Sequence, residues 1–589
     1  MPWSGCAPTR PASSLGWPCR STAATPFPDA HASNEQGDSM SRGSVKSLGA
    51  VQSLMGAAAG RQWRLPARRN RVRVERAIQV RMRDGVTLLA DHYIPVTSEP
   101  VPTILVRCPY GRGFPYALLS AQLYAERGYH VLLQSTRGTF GSGGTFRPAV
   151  SEADDGQDTV GWLRTQEWFD GRLATAGGSY LGFTQWALAM DPPPELKAMV
   201  VMIGVHDLAD AAYQQGPLDL FNMLSWSDLL SHQESVGSIA GLIRMMRAER
   251  RLRGALERLP LRGTMDTLGG KGAPWYDEWV GHPDVDAPYW EPFRATEALA
   301  RTTVPTLLIG GWHDYFLNQT LTQYQTLRSR DVDVALTMGP WTHLTVDNKI
   351  SMPQAISWLD THAAGRVSGK RETPVQVFVG GGWQEHHSWP PDTTTTTWYL
   401  QDAQQLSEAS PSDDATTTQF HYDPADPTPS VGGRIMATSG GARDNRKLEA
   451  RADVLTFTTA PLTESVEVHG QPVVEMYLAS DNDNADLFAR LCDVDPAGRS
   501  INVTDRIVRC AQPDGEVRRV TITLDPTAHR FNVGHRIRLQ ISGGAFPRFA
   551  RNPGTGEAAG AATVLQPVTH TVHHNASRPS SIALPLVKH

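Results

Sequence analysis

Residues 176–182 read Ala176-Gly177-Gly178-Ser179-Tyr180-Leu181-Gly182. They follow a short apolar run at 173–176 that predicts a buried strand, and a helical pattern starts near Leu181. A serine on so tight a strand-to-helix turn presents its Oγ above the end of a sheet, and small flanking residues admit the crowded backbone. The usual elbow of this kind has glycine two residues after the serine, whereas here Leu181 holds that place and Gly182 comes third. A glycine-rich loop with an ordinary serine fits the same seven letters, so the serine's partners have to decide between the two.

Outward from this turn, apolar runs at 103–106, 130–134 and 198–204 alternate with helical patterns, one of them at 158–166, as buried parallel strands with crossover helices do. The rhythm breaks over 206–298, where 223–230 and 239–253 look helical. It resumes with strands at 304–310 and 334–338 and a helix at 317–327. An α/β core made of 71–205 and 299–366, with a helical cap inserted at 206–298, is therefore expected. After a linker-like stretch at 366–374 the texture turns to short β-type runs at 375–379, 397–400, 473–478, 518–524 and 536–541. Gly, Pro and Asp clusters separate them, which predicts an all-β domain over 373–589. Upstream, Ile78, Val80 and Met82 alternate with polar residues before Asp84-Gly85, Val86 and Leu88, the pattern of a hairpin. The arginine-dense stretch at 61–83 reads as its solvated face. Residues 1–70, rich in Ser, Ala, Pro and Gly to about Gly60, are expected to be an extension without structure, with Met40 and Met55 as alternative starts.

Serine at its own pKa is a weak nucleophile and needs a base, which in turn needs an orienting carboxylate. In α/β-hydrolases these follow in the order Ser, Asp or Glu, His, the last two on loops at strand C-termini. Asp314 follows the 304–310 strand in Gly311-Trp312-His313-Asp314-Tyr315-Phe316, and His343 follows the 334–338 strand in Gly339-Pro340-Trp341-Thr342-His343. His313 is the weaker base candidate, because neighbours on an extended segment point in different directions. Cys108 ends a strand without a positioned base and reads as a buried thiol. His386-His387 and the trio His570, His573 and His574 read as strand or surface histidines, and no metal site is expected.

The 589 residues carry 55 Lys+Arg against 60 Asp+Glu, a formal net charge of -5. That balance lacks the basic excess nucleic-acid binding needs. The longest apolar runs, such as 199–205, fall far short of the roughly 18 to 20 residues of a membrane span. Five scattered cysteines, Cys6, Cys19, Cys108, Cys492 and Cys510, form no disulfide framework, so a reducing, cytoplasmic location is expected. Nothing before Asp29-Ala30-His31-Ala32 forms the apolar region of a signal peptide.

Several segments together carry a resemblance. Arg107-Cys108-Pro109-Tyr110, Thr136-Arg137-Gly138 with Phe140 and Phe146 beyond it, Asp170-Gly171, Gly178-Ser179-Tyr180-Leu181-Gly182, Gly311-Trp312-His313-Asp314 and Gly339-Pro340-Trp341-Thr342-His343 occur in order. They resemble the α/β-hydrolase family that contains X-Pro dipeptidyl-peptidases, cocaine esterase and α-amino-acid ester hydrolases. The resemblance runs from about Val74 onward and includes Trp389-Pro390-Pro391, Leu491-Cys492-Asp493-Val494 and Leu584-Pro585, which are similar to that family's C-terminal jelly-roll domain. It implies Ser179 as nucleophile, Asp314 and His343 as its partners, and Tyr110 as a donor to the oxyanion. The backbone N–H of Tyr180 is the natural second donor. One departure is visible: the family often has Asp before the x-Arg-Gly segment, whereas this chain reads Gln134-Ser135-Thr136-Arg137-Gly138. Asp154, Asp155 or Asp158 are the candidates to replace that carboxylate, and Arg137 is given no catalytic role.

These residues point to a serine hydrolase acting on a small-molecule ester or amide without a cofactor. Its pocket is expected under the helical insertion with Phe316 and Trp226 in the lining. An esterase is preferred over a peptidase because no site for a substrate ammonium group stands out. The acids Asp207, Asp210, Asp228 and Glu234 of the insertion keep an X-Pro dipeptidyl aminopeptidase or α-amino-acid ester hydrolase as the alternative. A different class, a non-catalytic glycan-binding protein built on the β domain, is the remaining rival. The broad β domain also makes a homo-oligomer an expectation.

Overall fold

The computed structural model describes residues 45–213, 216–366, 371–511 and 516–587. Met40, Cys6, Cys19 and the rest of 1–44 lie outside the described residues.

An 11-stranded sheet organises the first part of the chain: β1 (Lys46–Ser47), β2 (Val72–Arg81), β3 (Thr87–Pro95), β4 (Thr103–Cys108), β5 (His130–Ser135), β6 (Leu173–Gly178), β7 (Leu196–Met202), β8 (Thr306–His313), β9 (Val334–Thr342), β10 (Val375–Val379) and β11 (Gly382–His386), in the spatial order 1-2-3-5-4-6-7-8-9-10-11. The stretch 5-4-6-7-8-9-10 is parallel. Apart from β10, its strands are buried on both faces, and the side-chain period of two divides each between two cores. Leu105, Leu132, Met199, Val201, Leu308 and Leu336 face one core, where Phe183 and Trp186 pack. Ile104, Val131, Val200, Leu307 and Ile309 face the other, against Met352, Ile356 and Leu359. The helices that cover or extend this sheet are α1 (Ala50–Gln62), α2 (Glu152–Leu163), α3 (Tyr180–Ala189), α4 (Leu220–Met246), α5 (Leu317–Ser329) and α6 (Asn348–His362).

Three expectations change. Residues 45–70 are not an unstructured extension: Lys46 pairs with Val74 of β2, and α1 buries Gly56 and Ala59. The helix docks by closeness rather than by bulk, since a Cβ at Gly56 would lie 2.3 Å from Nε2 of Gln122. A reading weighted by hydrophobicity discounts small residues used this way. The cap helix does not break between 230 and 239 but runs as one helix, α4. There Gln233 is buried by donating to the Pro109 carbonyl at 2.8 Å, and Ser231 by donating to the Gly269 carbonyl at 3.2 Å. Apolar periodicity lapses because hydrogen bonds, not hydrocarbon, bury that face. Finally, the first two strands after 373 do not join the sheet of the β domain. Val375, Gln376 and Val377 pair in parallel with Leu336, Thr337 and Met338 of β9, so β10 and β11 complete the hydrolase sheet. Composition marks a run as strand without saying which sheet receives it.

The all-β domain begins with the strand Thr393–Gln401, which pairs antiparallel with Ser581–Val587. Its strands alternate buried and half-buried residues, as in Val473–Ser480. Phe457, Met476, Leu478, Leu491, Leu539 and Ile541 belong to its core. Among the described residues no helix is long and apolar enough to cross a membrane.

Helix α3 approaches the end of β7 closely at Gly182, where an added Cβ would come within 2.7 Å of Gly204 Cα. Backbone cannot retreat as a flexible side chain can. Gly182→Val is therefore expected to cost roughly 1–3 kcal/mol, read as a lowered midpoint in thermal unfolding.

Candidate active site

Ser179 sits between β6 and α3 at φ 60° and ψ −126°, a backbone region that costs a non-glycine residue energy and persists only where surroundings enforce it. Its N–H is held by the carbonyls of Met202 at 3.0 Å and Ile203 at 3.1 Å. The unusual Leu181 is explained by Gly177, where a Cβ would lie 2.5 Å from that of Leu181, so the leucine fills space that a side chain at 177 would need. Gly182 then takes the close approach to the sheet.

Asp314 directly follows β8 and His343 directly follows β9, and both reach Ser179. His343 Nδ1 lies 2.7 Å from Asp314 Oδ1, and Nε2 lies 2.9 Å from Ser179 Oγ. Asp314 is completely buried, and its second oxygen accepts the Phe316 N–H at 3.0 Å. An ionised carboxylate only accepts, so Nδ1 carries the hydrogen and Nε2 is left to accept from the serine hydroxyl. Such a chain of bonds can remove the serine proton while stabilising the imidazolium that results.

Tyr110 follows β4 and lies beside this group. Trp226 of α4 donates its Nε1–H to the Tyr110 oxygen at 3.1 Å. Indole can only donate, so the phenol keeps its own O–H as a donor. Burial raises the Tyr110 phenol above its ordinary range, while hydrogen bonding with Trp226 and Ser179 acts in the opposite direction. The Tyr180 N–H is the first of α3 and has no acceptor inside its own helix. The Tyr180 side chain turns the other way, accepting the Ala149 N–H at 2.8 Å and donating to Glu152 Oε1 at 2.9 Å. Glu152 pairs with buried Arg107 at 2.9 Å. Burial pushes the Glu152 carboxyl upward, opposed by Arg107.

Glu152, which with Arg107 braces the serine turn, carries no motif and was not among the expected residues, and Arg107 was expected only as part of the Arg107-Cys108-Pro109-Tyr110 segment, with no role of its own. Arg137 binds Asp155 at 3.1 and 2.6 Å and Asp84 at 2.7 Å, so Asp155 supplies its carboxylate, while Asp154 and Asp158 take Arg83. Around Ser135 the pairing shifts to Arg112, which reaches Asp91 at 3.2 Å. The rivals have other employment. Burial lowers His313 to about 4 and pushes the Cys108 thiol up to about 12. His570 bonds Ser480 at 2.8 Å and His574 bonds Thr418 at 3.0 Å. Among the described residues no group of three or more His, Cys, Asp or Glu could hold a metal.

A cavity of about 400 Å³ opens above Ser179 and His343. Tyr116 and Leu119 line it from the core, Trp226, Leu229 and Met245 from the cap, and Met436 from the β domain, a contribution the sequence did not announce. Phe316, expected as lining, instead packs edge-on against the His343 imidazole with ring centres 5.3 Å apart.

A parallel sheet with a strained serine turn and His and Asp on later strand ends defines an α/β-hydrolase. Residues 84–345 match the X-Pro dipeptidyl-peptidase (S15) family, and 364–583 match the X-Pro dipeptidyl-peptidase C-terminal non-catalytic domain. Cocaine esterase of Rhodococcus sp. (strain MB1 Bresler) is 31% identical over 566 residues, 87% of this chain and 98% of that one. Among solved structures, an α-amino acid ester hydrolase superposes with a TM-score of 0.75 at 24% identity, covering 87% of this chain and 96% of its own. An aminopeptidase from a marine sediment Thaumarchaeota archaeon does so at 0.74 and 23%, covering 88% and 97%. The chain belongs to the X-Pro dipeptidyl-peptidase and cocaine esterase family of serine hydrolases and is an enzyme.

Arg107→Met leaves the buried carboxylate of Glu152, 2.9 Å from the guanidinium, without its cation, while Asp155 keeps Arg137. A loss of about 3–5 kcal/mol is expected, measured by denaturant unfolding. An unchanged midpoint would show that the brace is dispensable.

Proposed function

We propose that this enzyme hydrolyses carboxylic esters of small molecules through an acyl-enzyme on Ser179. The observation that carries the proposal is the continuous bond line from Ser179 through His343 to Asp314 beneath an apolar cavity. His343 takes the Ser179 proton as Oγ attacks the ester carbonyl, then gives it to the leaving alcohol. Asp314 holds the imidazole and stabilises its charge. A water deprotonated by His343 next attacks the acyl carbon and frees the acid and Ser179. Negative charge on the carbonyl oxygen meets the Tyr110 O–H and the Tyr180 N–H. Each step balances with the ester and water alone, so the proposal includes no cofactor.

Ester is favoured over aminoacyl substrates by the fate of the cap acids. Asp207 pairs with Arg294 at 3.0 Å, Asp228 with Arg244 at 2.8 Å and with Arg251, and Glu234 with Lys271 at 2.8 Å. Asp210 accepts from Gln319 at 2.9 Å, and burial lifts its carboxyl to about 6. All four are thus engaged within the protein rather than offered to a substrate ammonium. The 31%-identical relative is named for an ester as well. The buried thiols Cys108, Cys492 and Cys510 support placing the enzyme in the cytoplasm.

Two measurements test the proposal. A fluorophosphonate probe should label the wild type and not Ser179→Ala, and a nitrophenyl acyl ester should be turned over faster than an aminoacyl ester or an X-Pro anilide. Preference for the anilide would transfer the assignment to the peptidases. Tyr110→Phe should lower kcat by about 10²- to 10³-fold, the usual effect of losing one oxyanion donor, with little change in KM.

A further inference from the structure

Residues 433–441 of the β domain form a loop closed on itself by reciprocal backbone bonds between Gly433 and Gly441 at 2.8 and 2.9 Å. This loop lies against both segments that carry the site. At one end a Cβ on Gly441 would sit 3.0 Å from Cγ2 of Thr342, the neighbour of His343. At the other, buried Arg434 donates to the Tyr315 carbonyl at 3.0 Å, one residue past Asp314. The rest of its guanidinium grips Asp525 at 2.6 Å. The other Asp525 oxygen accepts from Asn318, in the first turn of α5, at 2.9 Å.

The geometry at Tyr315 gives the contact its meaning. The carbonyl that Arg434 holds and the Phe316 N–H that Asp314 Oδ2 accepts at 3.0 Å belong to the same peptide unit. That unit is rigid and planar, so fixing its oxygen fixes the direction of its N–H. A cation on the oxygen and a carboxylate on the N–H also polarise the amide in the same sense, strengthening both bonds. Phe316, carried by this peptide, is the ring packed on His343.

We propose that Arg434, clamped by Asp525, is a positioning residue that orients the Asp314 carboxylate toward His343 through the Tyr315–Phe316 peptide. This rests on the triad assigned above. Arg434 acts without touching substrate, so its loss falls on kcat rather than KM. It also weakens support for the imidazolium, which moves the acid limb of the pH profile to lower pH.

The test uses the full chain with a nitrophenyl ester and a fluorophosphonate probe. The double variant Arg434→Met, Asp525→Asn removes both charges of the clamp together, and Arg506, which lies 3.5 Å from Asp525, is 25% exposed and can turn to solvent. It should lose about 10- to 100-fold in kcat and in labelling rate, the scale of an ångström-level misplacement. KM should stay within about twofold, with the acid limb displaced downward. Arg434→Lys should recover part of the rate, since it keeps the charge and loses the planar fork. A folded double variant with wild-type kcat and acid limb overturns the role. If that variant does not fold, Asp525→Asn alone decides, and wild-type kcat with an unmoved limb overturns it equally. Absence of labelling in the wild type would sink the triad and this role together, whereas a labelled wild type with unaffected variants overturns Arg434 only.

Discussion

The bond line from Ser179 to Asp314 spans strands that are not neighbours. Ser179 leaves β6, Asp314 leaves β8 and His343 leaves β9, in a sheet ordered 6-7-8-9. At about 4.8 Å per strand, the serine and histidine loops start roughly 14 Å apart and must fold back over the sheet end to meet at 2.9 Å. Glycines make this possible. A Cβ at Gly311 would lie 2.4 Å from the Trp341 carbonyl oxygen, and one at Gly339 would lie 2.4 Å from the Trp341 ring, so the aspartate and histidine loops can nest only because both positions are bare. Between them, β7 serves as the anvil: the Met202 and Ile203 carbonyls hold Ser179 N–H, and Gly204 receives α3.

Buried charge does the remaining alignment. Arg107 with Glu152 sits beneath the serine turn, and Arg434 with Asp525 sits beside the aspartate turn. A further group, Asp505 with Arg490 and Arg548, packs nearby in the β domain. Burial alone would raise the Asp505 carboxyl, yet Arg548 and Arg490 hold it well below the usual range. Pairs of this kind add little net stability, because desolvation offsets most of their attraction. They penalise misplacement steeply, however, since a shifted partner leaves a bare ion in a dry interior. A site that tolerates only small errors in three separate loops gains from such penalties.

What was legible in the sequence follows from this division of labour. Ser179, Asp314 and His343 could be named because chain order and strand ends are local patterns, and the α/β core with its trailing β domain followed from strand texture. Phe316 was placed in the pocket because an aromatic after the aspartate is visible, whereas its edge-on seat on His343 depends on how the turn closes. Trp226 was weighed only as an apolar ring, and its N–H bond to Tyr110 crosses 116 residues of sequence. The continuity of α4, the docking of α1 through Gly56 and the capture of β10 by β9 rest on polar burial, on missing side chains and on strand partnering. None of these leaves a periodic apolar trace.

The cavity shows why three regions of chain are kept together. Its walls come from Tyr116 and Leu119 of the core, Trp226, Leu229 and Met245 of the cap, and Met436 of the β domain. Met436 is fixed in turn by the cap, its N–H donating to Asn222 of α4 at 2.8 Å, two residues from the arginine that holds the Tyr315 carbonyl. One short loop therefore sets a wall of the cavity and the aim of the buried carboxylate at once. A shift of the β domain against the cap would change the shape of the cavity and, through the proposed role of Arg434, how well His343 is oriented. Cavity shape and the alignment of the Ser179, His343 and Asp314 bond line are thus coupled through the packing of a domain that contributes none of the three residues.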